Sequence, residues 1–420
     1  MTFSLVYRSD VRSAFLLAVV SLIAAPAVCG AQAPAEAALT LSQAIDIALT
    51  ANPGLVGARL QAEVARAGVG VARQRPNPEL LLEETRETPH DAATLSQTIE
   101  TAGKRRRRIE LAETGVAGRE AQLARAIAEV RNRVRRAFFA LAAAQRRLAG
   151  TEDLLHLAER TRDTARARFE SGDVPRLEVL QAELAITQAD NEVQSAAGVV
   201  TSARADLNTL LARPPEAPTQ VSDVPAGPLA ERQVPDGATA TRRALAANTE
   251  LAVLDRGIAE QKAKVALARA QQTPDPVVQG SVTHRSPPEF DWGWRAALTI
   301  ALPIFTFRGA AVQVEERTLA QLQAERDARA AEIAGSVYAA AATAAARESE
   351  LRRFHDQILP QAEEVERMAE DSYRSGQTGL PALLQALQAT RDIRLRAIQA
   401  EADYQSAVAD LESAMGVPLP

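Results

Sequence analysis

Between Gly103 and Leu211 apolar side chains return at a fixed interval. Ile127, Val134, Leu141, Leu148 and Leu155 stand seven residues apart, and Leu123, Val130, Ala137 and Ala144 form a second row four residues ahead of them. Arg, Glu and Gln fill most of the positions between. This is the seam of a supercoiled helix. At 1.5 Å per residue, Gly103 to Ser171 predicts a rod about 100 Å long. The marked interruption is Phe169-Glu170-Ser171-Gly172-Asp173-Val174-Pro175, after which the apolar spacing resumes at Leu177, Leu180 and Leu184 and ends near Leu207 and Leu211. A helical hairpin of this length cannot be the core of a compact domain, so it has to pack sideways against neighbours.

A second pattern has period two. In Trp292 to Leu302 the even positions are Trp292, Trp294, Ala296, Leu298, Ile300 and Leu302, and the odd ones are Gly293, Arg295, Ala297, Thr299 and Ala301. Alternation of an apolar face with a small or polar one predicts a strand. Val278, Gly280 and Val282 alternate with Gln279, Ser281 and Thr283 in the strand before it, and Arg285 to Glu289 reads as the hairpin loop. Strands of about ten residues with Trp near one end match the strands of a transmembrane barrel and its aromatic girdle. Trp292 and Trp294 are expected at the membrane interface. Leu80 to Glu84 and Leu95 to Ile99 alternate poorly and carry little weight alone.

The chain is written twice. Gly172 falls on Gly376, Leu180 on Leu384, Leu207 on Leu411 and Pro214 on Pro418, all at one offset of 204 (376 − 172). Upstream, Asn52 pairs with Asn248, Pro78 with Pro276 and Gly103 with Gly309, with small shifts. A repeat this long is no solenoid unit; it predicts a duplicated fold with pseudo-two-fold symmetry. The first repeat is assigned to residues 32–212 and the second to 238–420. Each predicts a helix (Ser42 to Arg73, with Ser42 as N-cap; Thr241 to Ala270), a β-hairpin (about 78–101; about 276–305), a long helix, a tip (169–176; 373–381) and a return helix. Between them, residues 213–237 carry six prolines and predict an extended connector along the surface.

Composition fits long helices: 46% hydrophobic with only 4% aromatic, so Ala and Leu supply the apolar content. A net charge of −5 implies no strongly acidic or basic partner. Residues 1–31 read as an export signal, with Arg8 and Arg12, an apolar run from Ala14 to Ala25, and cleavage after Ala27 or Ala31. Cys29, the lone cysteine, lies beside the cut and is the candidate for lipidation, although Val28 and Pro26 are poor neighbours for it.

Two hairpins give four strands, and an open edge in lipid leaves backbone groups unpaired at several kcal/mol each. Barrels start at about eight strands. Strands have to be pooled between copies, and the second seam of the long helices calls for the same neighbours.

At this point the chain resembles the TolC-like outer-membrane efflux family. The resemblance rests on Ser96-Gln97-Thr98-Ile99-Glu100-Thr101-Ala102-Gly103-Lys104-Arg105 with the arginines to Arg108, on the two tips, on Thr390-Arg391, and on Leu411 to Pro418. It covers essentially the whole mature chain, and the Ser-Gln-x-Ile-Glu-x-x-Gly-Lys-Arg stretch is most similar to the CzcC-like branch of heavy-metal efflux. The resemblance implies a mainly α fold with a small transmembrane β part. Its homotrimer would form a twelve-stranded barrel in outer-membrane lipid and a twelve-helix periplasmic tunnel. It also implies partners: a periplasmic membrane-fusion adaptor and an inner-membrane RND-type pump. The adaptor would dock at Phe169, Ser171, Gly172, Asp173, Tyr373, Ser375, Gly376 and Gln377. Family members often narrow the pore with acidic residues beyond the second tip, but Ala382 and Gln385 stand there, so Asp173 and Glu178 of the first tip are the gate candidates.

Lys104 to Arg108 is the densest basic run. Export argues against nucleic acid. Lys104 and Arg105 either form a positive rim at the lipid headgroups or begin a solvated helix. His90, His156, His284 and His355 have no second ligand at metal spacing, so no metal site and no cofactor is expected, although three-fold symmetry could gather His90 and His284. Pro360 either bends the second long helix or opens a new turn after a break at Phe354-His355. No nucleophile–base pair or phosphate loop stands out, so the chain is not expected to be an enzyme. The leading expectation is the passive duct of a tripartite efflux system, favouring heavy-metal cations. The alternatives are a multidrug or type I secretion duct, or a periplasmic coiled-coil scaffold or adaptor.

Overall fold

The computed structural model describes residues 38–419 apart from 88, 223–233, 287, 289, 306 and 307; the export signal and Cys29 lie outside them. The first half runs α1 (Leu41–Ala51), α2 (Pro53–Arg73), β1 (Glu79–Glu84), β2 (Asp91–Thr98), α3 (Lys104–Glu170) and α4 (Arg176–Leu210). The second half repeats that order: α5 (Gly237–Ala247), α6 (Thr249–Ala270), β3 (Val277–Ser286), β4 (Phe290–Thr299), α7 (Gly309–Arg353), a π-helical turn (Phe354–Ile358), α8 (Leu359–Arg374) and α9 (Leu380–Met415).

The opening helix of each half is two helices, not one. Thr40 rather than Ser42 caps α1: its hydroxyl accepts from Gln43 N while the Gln43 side chain accepts from Thr40 N, a capping box. Asn52 then ends α1 and starts α2, its Oδ1 accepting from Gly54 N at 3.0 Å and its Nδ2 donating to Leu210 O at 3.2 Å. Asn248 does the same between α5 and α6, accepting from Glu250 N at 2.8 Å and donating to Ala414 O at 3.0 Å. Leu210 and Ala414 are 204 residues apart, so the duplication extends to single hydrogen bonds. The predicted start at Thr241 is corrected to Gly237, capped by Asp236.

Part of the connector is packed rather than laid on the surface. Val221 pairs with Leu39 as a parallel bridge and is buried, and Thr219 donates to Asn208 Oδ1 at 2.6 Å. Asn208 is fully buried, and its amide also donates to Pro215 O and Ala217 O, which leaves this polar group satisfied. Its counterpart Glu412 is buried too. It takes Arg135 at 2.6 Å and Leu419 N at 3.0 Å, holding the C-terminal segment.

The seam on α3 is real in its middle. Val134, Phe138, Leu141 and Ala144 are buried with Leu207 and Leu211 of the return arm. Toward the tip the buried line becomes Leu157, Thr161 and Ala165, so the strict seven-residue count slips after Leu148. Leu177, Leu180 and Leu184, predicted to resume the seam, point outward on α4 and are exposed; Ala182 is buried instead. The second rod is interrupted by the π-helical turn, and Pro360 sits in the first turn of α8, where its missing N–H costs least. The break at Phe354-His355, not a proline kink, is the reading the structure takes.

Candidate functional site

The strands join into one antiparallel sheet, ordered β1-β2-β3-β4. Its pairing decides which side chains share a face. Leu80 faces Leu95, Leu82 faces Ala93, Leu95 faces Gly280, Ala93 faces Val282, and Gly280 and Val282 face Ala296 and Trp294. The middle of one face is therefore apolar across all four strands, bounded by Glu84, Asp91 and His284 at one end and Gln97 at the other, and its Leu80, Leu82, Leu95, Val282, Trp292, Trp294 and Leu298 are exposed, Trp294 to 83%. The other face carries Glu79, Glu83, Thr94, Ser96, Gln279, Ser281, Thr283 and Arg295, with Leu81 the one large apolar side chain of β1 there and Ala92, Val277 and Ala297 beside the polar groups. The weakly alternating first hairpin is thus carried into register by the second. Among the described residues no helix is long and apolar enough to cross a membrane.

At one end of the sheet Asp91 ties the hairpins together. Arg285 donates to its carboxylate at 2.8 and 2.9 Å, and His284 Nδ1 lies 3.1 Å away while its ring stacks on Trp292 at 4.4 Å. His90 instead makes a loop contact to Thr85 O at 3.2 Å. No group of three or more potential metal ligands occurs among the described residues.

At the opposite end the strands meet the long helices, and here the basic run is turned to an internal task. Lys104 is buried; its Nζ donates to Thr273 O at 2.5 Å and pairs with Asp275 at 2.7 Å. It is not a lipid-facing anchor, because its ammonium is bound inside the protein. Arg105 Nε donates to Arg73 O, and Arg108 donates to Ala72 O and Gln74 O while pairing with Glu100. The run supplies donors to carbonyls that the end of α2 leaves unpaired, where cations are also favoured by the helix dipole. Thr101 closes the node, its N–H and hydroxyl both donating to Asp275. Burial opposes ionisation of Asp275, but the hydrogen bonds from Lys104 and Thr101 outweigh it and hold the carboxyl below its usual range. Asp275 escaped sequence reading; a Pro-Asp-Pro stretch gives no hint of a distant lysine.

The two tips share one backbone design. Gly172 N donates to Phe169 O at 3.0 Å and Asp173 N to Arg168 O at 2.9 Å; Gly376 N donates to Tyr373 O at 3.0 Å and Gln377 N to Ser372 O at 2.9 Å. Gly172 and Gly376 hold φ of +84° and +74°, which only glycine adopts without strain. Ser171, Gly172, Asp173, Ser375, Gly376 and Gln377 are all exposed. Ser171 Oγ also donates to Asp173 at 2.8 Å, a contact that Gln377 does not reproduce.

Phe169 and Tyr373 occupy matching positions but opposite environments. Phe169 is 42% exposed, whereas Tyr373 is 2% exposed in a cluster of Leu157, Ala165, Ala182, Leu380, Leu383 and Leu387 that joins the two hairpins. Arg168 lies over the Tyr373 ring at 5.0 Å. Among the described residues, Tyr373 Oη, Arg168 Nη1 and Glu178 Oε2 are all buried without a hydrogen-bond partner. Burial, then the Glu178 charge, raises the Tyr373 pKa, so the phenol is neutral. A partly unsatisfied polar group between two otherwise apolar hairpin ends is a weak point in their packing.

The family model for outer membrane efflux proteins matches residues 44–213 and again 240–417. The cobalt-zinc-cadmium resistance protein CzcC of Cupriavidus metallidurans is 32% identical over 182 residues, 42% of this chain and 44% of that protein, so the match spans less than half of either. The outer-membrane channel OprN superposes with a TM-score of 0.72 at 19% identity, covering 90% of this chain and 89% of that one. CusC, described in connection with transmembrane channel formation, gives 0.72 at 17% identity over 90% and 92%. The open-state MtrE channel of Neisseria gonorrhoeae gives 0.71 at 21% identity over 90% and 89%. These likenesses show the TolC-like fold, mainly helical with a four-stranded sheet. With both halves matched by the family model, the chain belongs to the outer membrane efflux protein family.

Proposed function

We propose that three copies of this chain form a duct through the outer membrane and across the periplasm, passing on substrate that an inner-membrane pump delivers. The observation that carries this reading is the sheet. It has two open edges, an exposed apolar face on all four strands and a polar opposite face, and its edges can be closed in lipid only by more strands. Four strands from each of three copies make twelve. Trp292 and Trp294, on the apolar face, are the interface anchors, with Arg105 beside the helix junction. Fractionation tests the reading: the protein is expected in the detergent-requiring outer-membrane fraction as a heat-sensitive trimer. Release by osmotic shock as a water-soluble monomer would favour the scaffold alternative.

The exposed turns at Ser171-Gly172-Asp173 and Ser375-Gly376-Gln377 are the docking points for a periplasmic adaptor, with an RND-type pump beneath it. Phe169 extends that surface on the first hairpin. Tyr373 serves instead as the wedge that holds the hairpins together. Asp173 and Glu178 form the gate: Glu178 Oε2 and Arg168 Nη1 are both buried near the Tyr373 wedge, and a shift of one hairpin would expose them to water.

For cargo, the name of the CzcC relative favours heavy-metal cations. Among the described residues of one chain no group of three or more potential metal ligands occurs, so selection of the cation is assigned to the pump. Deletion is expected to sensitise cells to Zn, Cd, Co, Ni or Cu more than to dyes and antibiotics. Unchanged metal tolerance with lost drug resistance would move the assignment to a multidrug duct.

A further inference from the structure

β1 and β4 are the two free edges of the sheet, each with one hydrogen-bonded neighbour and one open row of backbone N–H and C=O groups. They also carry opposite charge on the same face. On the polar face β1 presents Glu79 and Glu83 and β4 presents Arg295, with Asp291 further out, while β2 and β3 put no charge there along their paired stretch. Among the described residues, Glu79, Glu83 and Arg295 have no ion-pair partner. An arginine and two glutamates left open on opposite edges are complementary to each other, but only in a second copy.

We propose that Arg295 of one copy pairs across the seam with Glu79 or Glu83 of the next, and that this pairing selects the register at which copies join. The inference rests on the trimeric barrel proposed above and deepens it. Three antiparallel steps make β4 antiparallel to β1, so the seam is antiparallel as well. A slip of one residue would turn the whole edge over and put Arg295 among the Trp and Leu side chains of the lipid face, which the pattern forbids. Slips of two residues keep the faces and are not excluded by hydrophobicity. The charges choose among them. Arg295 has to lie opposite Glu79, Leu81 or Glu83; opposite Leu81, both glutamates are diagonal neighbours within reach of a long side chain. Because water reaches the polar face, each pair is weak and salt-screened, so reversal of charge reads out better than neutralisation.

The test uses the full chain in detergent at low ionic strength, recording the temperature at which the assembly falls to monomers on a gel. Arg295→Glu alone is expected to lower it, as is Glu79→Arg combined with Glu83→Arg; joining all three changes is expected to recover most of the loss. A triple variant no more stable than its weaker parent, or single reversals that leave the temperature unchanged, overturns the proposal. Cysteine pairs give a second reading independent of charge. Arg295→Cys with Glu79→Cys, Leu81→Cys or Glu83→Cys is expected to give an oxidised covalent ladder for at least one pair, and none with Leu82→Cys. A ladder formed only with Leu82→Cys overturns the register. An unaltered protein that runs as a monomer would overturn the trimer itself.

Discussion

Lys104 shows how a charge that looks available from outside is bound within. Its ammonium satisfies Thr273 O and Asp275 at once, and both would be left without it in a nearly closed site. Lys104→Met is expected to cost about 2 kcal/mol, the range for a hydrogen-bonded charge lost from a partly buried pair. The exposed neighbour Arg106, changed to Ala, should stay within about 0.5 kcal/mol, as surface positions do. Thermal unfolding in detergent reads both. Asp275 adds a pH signature. Its carboxyl is held below the ordinary 3.8, so its contribution is complete above that value and is lost as pH falls through the lower folded-state pKa. Asp275→Asn is therefore expected to narrow the stability difference between pH 6 and pH 3; a difference as large as in the unaltered protein would contradict this. At the other end, the Tyr373 hydroxyl has no hydrogen-bond partner among the described residues, so Tyr373→Phe should be neutral or stabilising. Tyr373→Ala should cost about 3–5 kcal/mol for the cavity.

The tips are the elements whose form could be read directly. Glycine, a downstream proline and flanking helix formers leave few conformations, and the same hydrogen bonds recur at both. Gly172→Ala or Gly376→Ala is expected to cost about 1–2 kcal/mol through the left-handed φ alone, since a Cβ there meets nothing within 4 Å. Adaptor binding measured beside stability would separate that cost from docking. Other elements were less legible for physical reasons. Leu80-Leu81-Leu82 is apolar on both faces, so period two vanishes from β1 until pairing with β2 supplies it. Five successive basic residues look the same whether they cap carbonyls or meet solvent, and only the approach of α2 decides. The split at Asn52 was masked because helical spacing continues on both sides of it, although Asn-Pro is a boundary signal.

At the scale of the whole molecule, one chain leaves several surfaces unfinished together. The sheet has two open edges, its apolar face is bare, and Leu177, Leu180, Leu184 and Phe169 stand exposed on the first hairpin while Val365 and Met368 stand exposed on α8. Sequence showed these residues to be apolar but could not say whether they pack within the chain; the burial of Ala182 in place of Leu180 shows that on α4 Leu180 does not. Leu180→Ser with Leu184→Ser is accordingly expected to weaken the assembly while leaving helix content by circular dichroism unchanged. The mass of the detergent-solubilised outer-membrane particle, corrected for bound detergent by sedimentation, tests the account most directly. It predicts three polypeptides per particle; a particle holding a single polypeptide would contradict it.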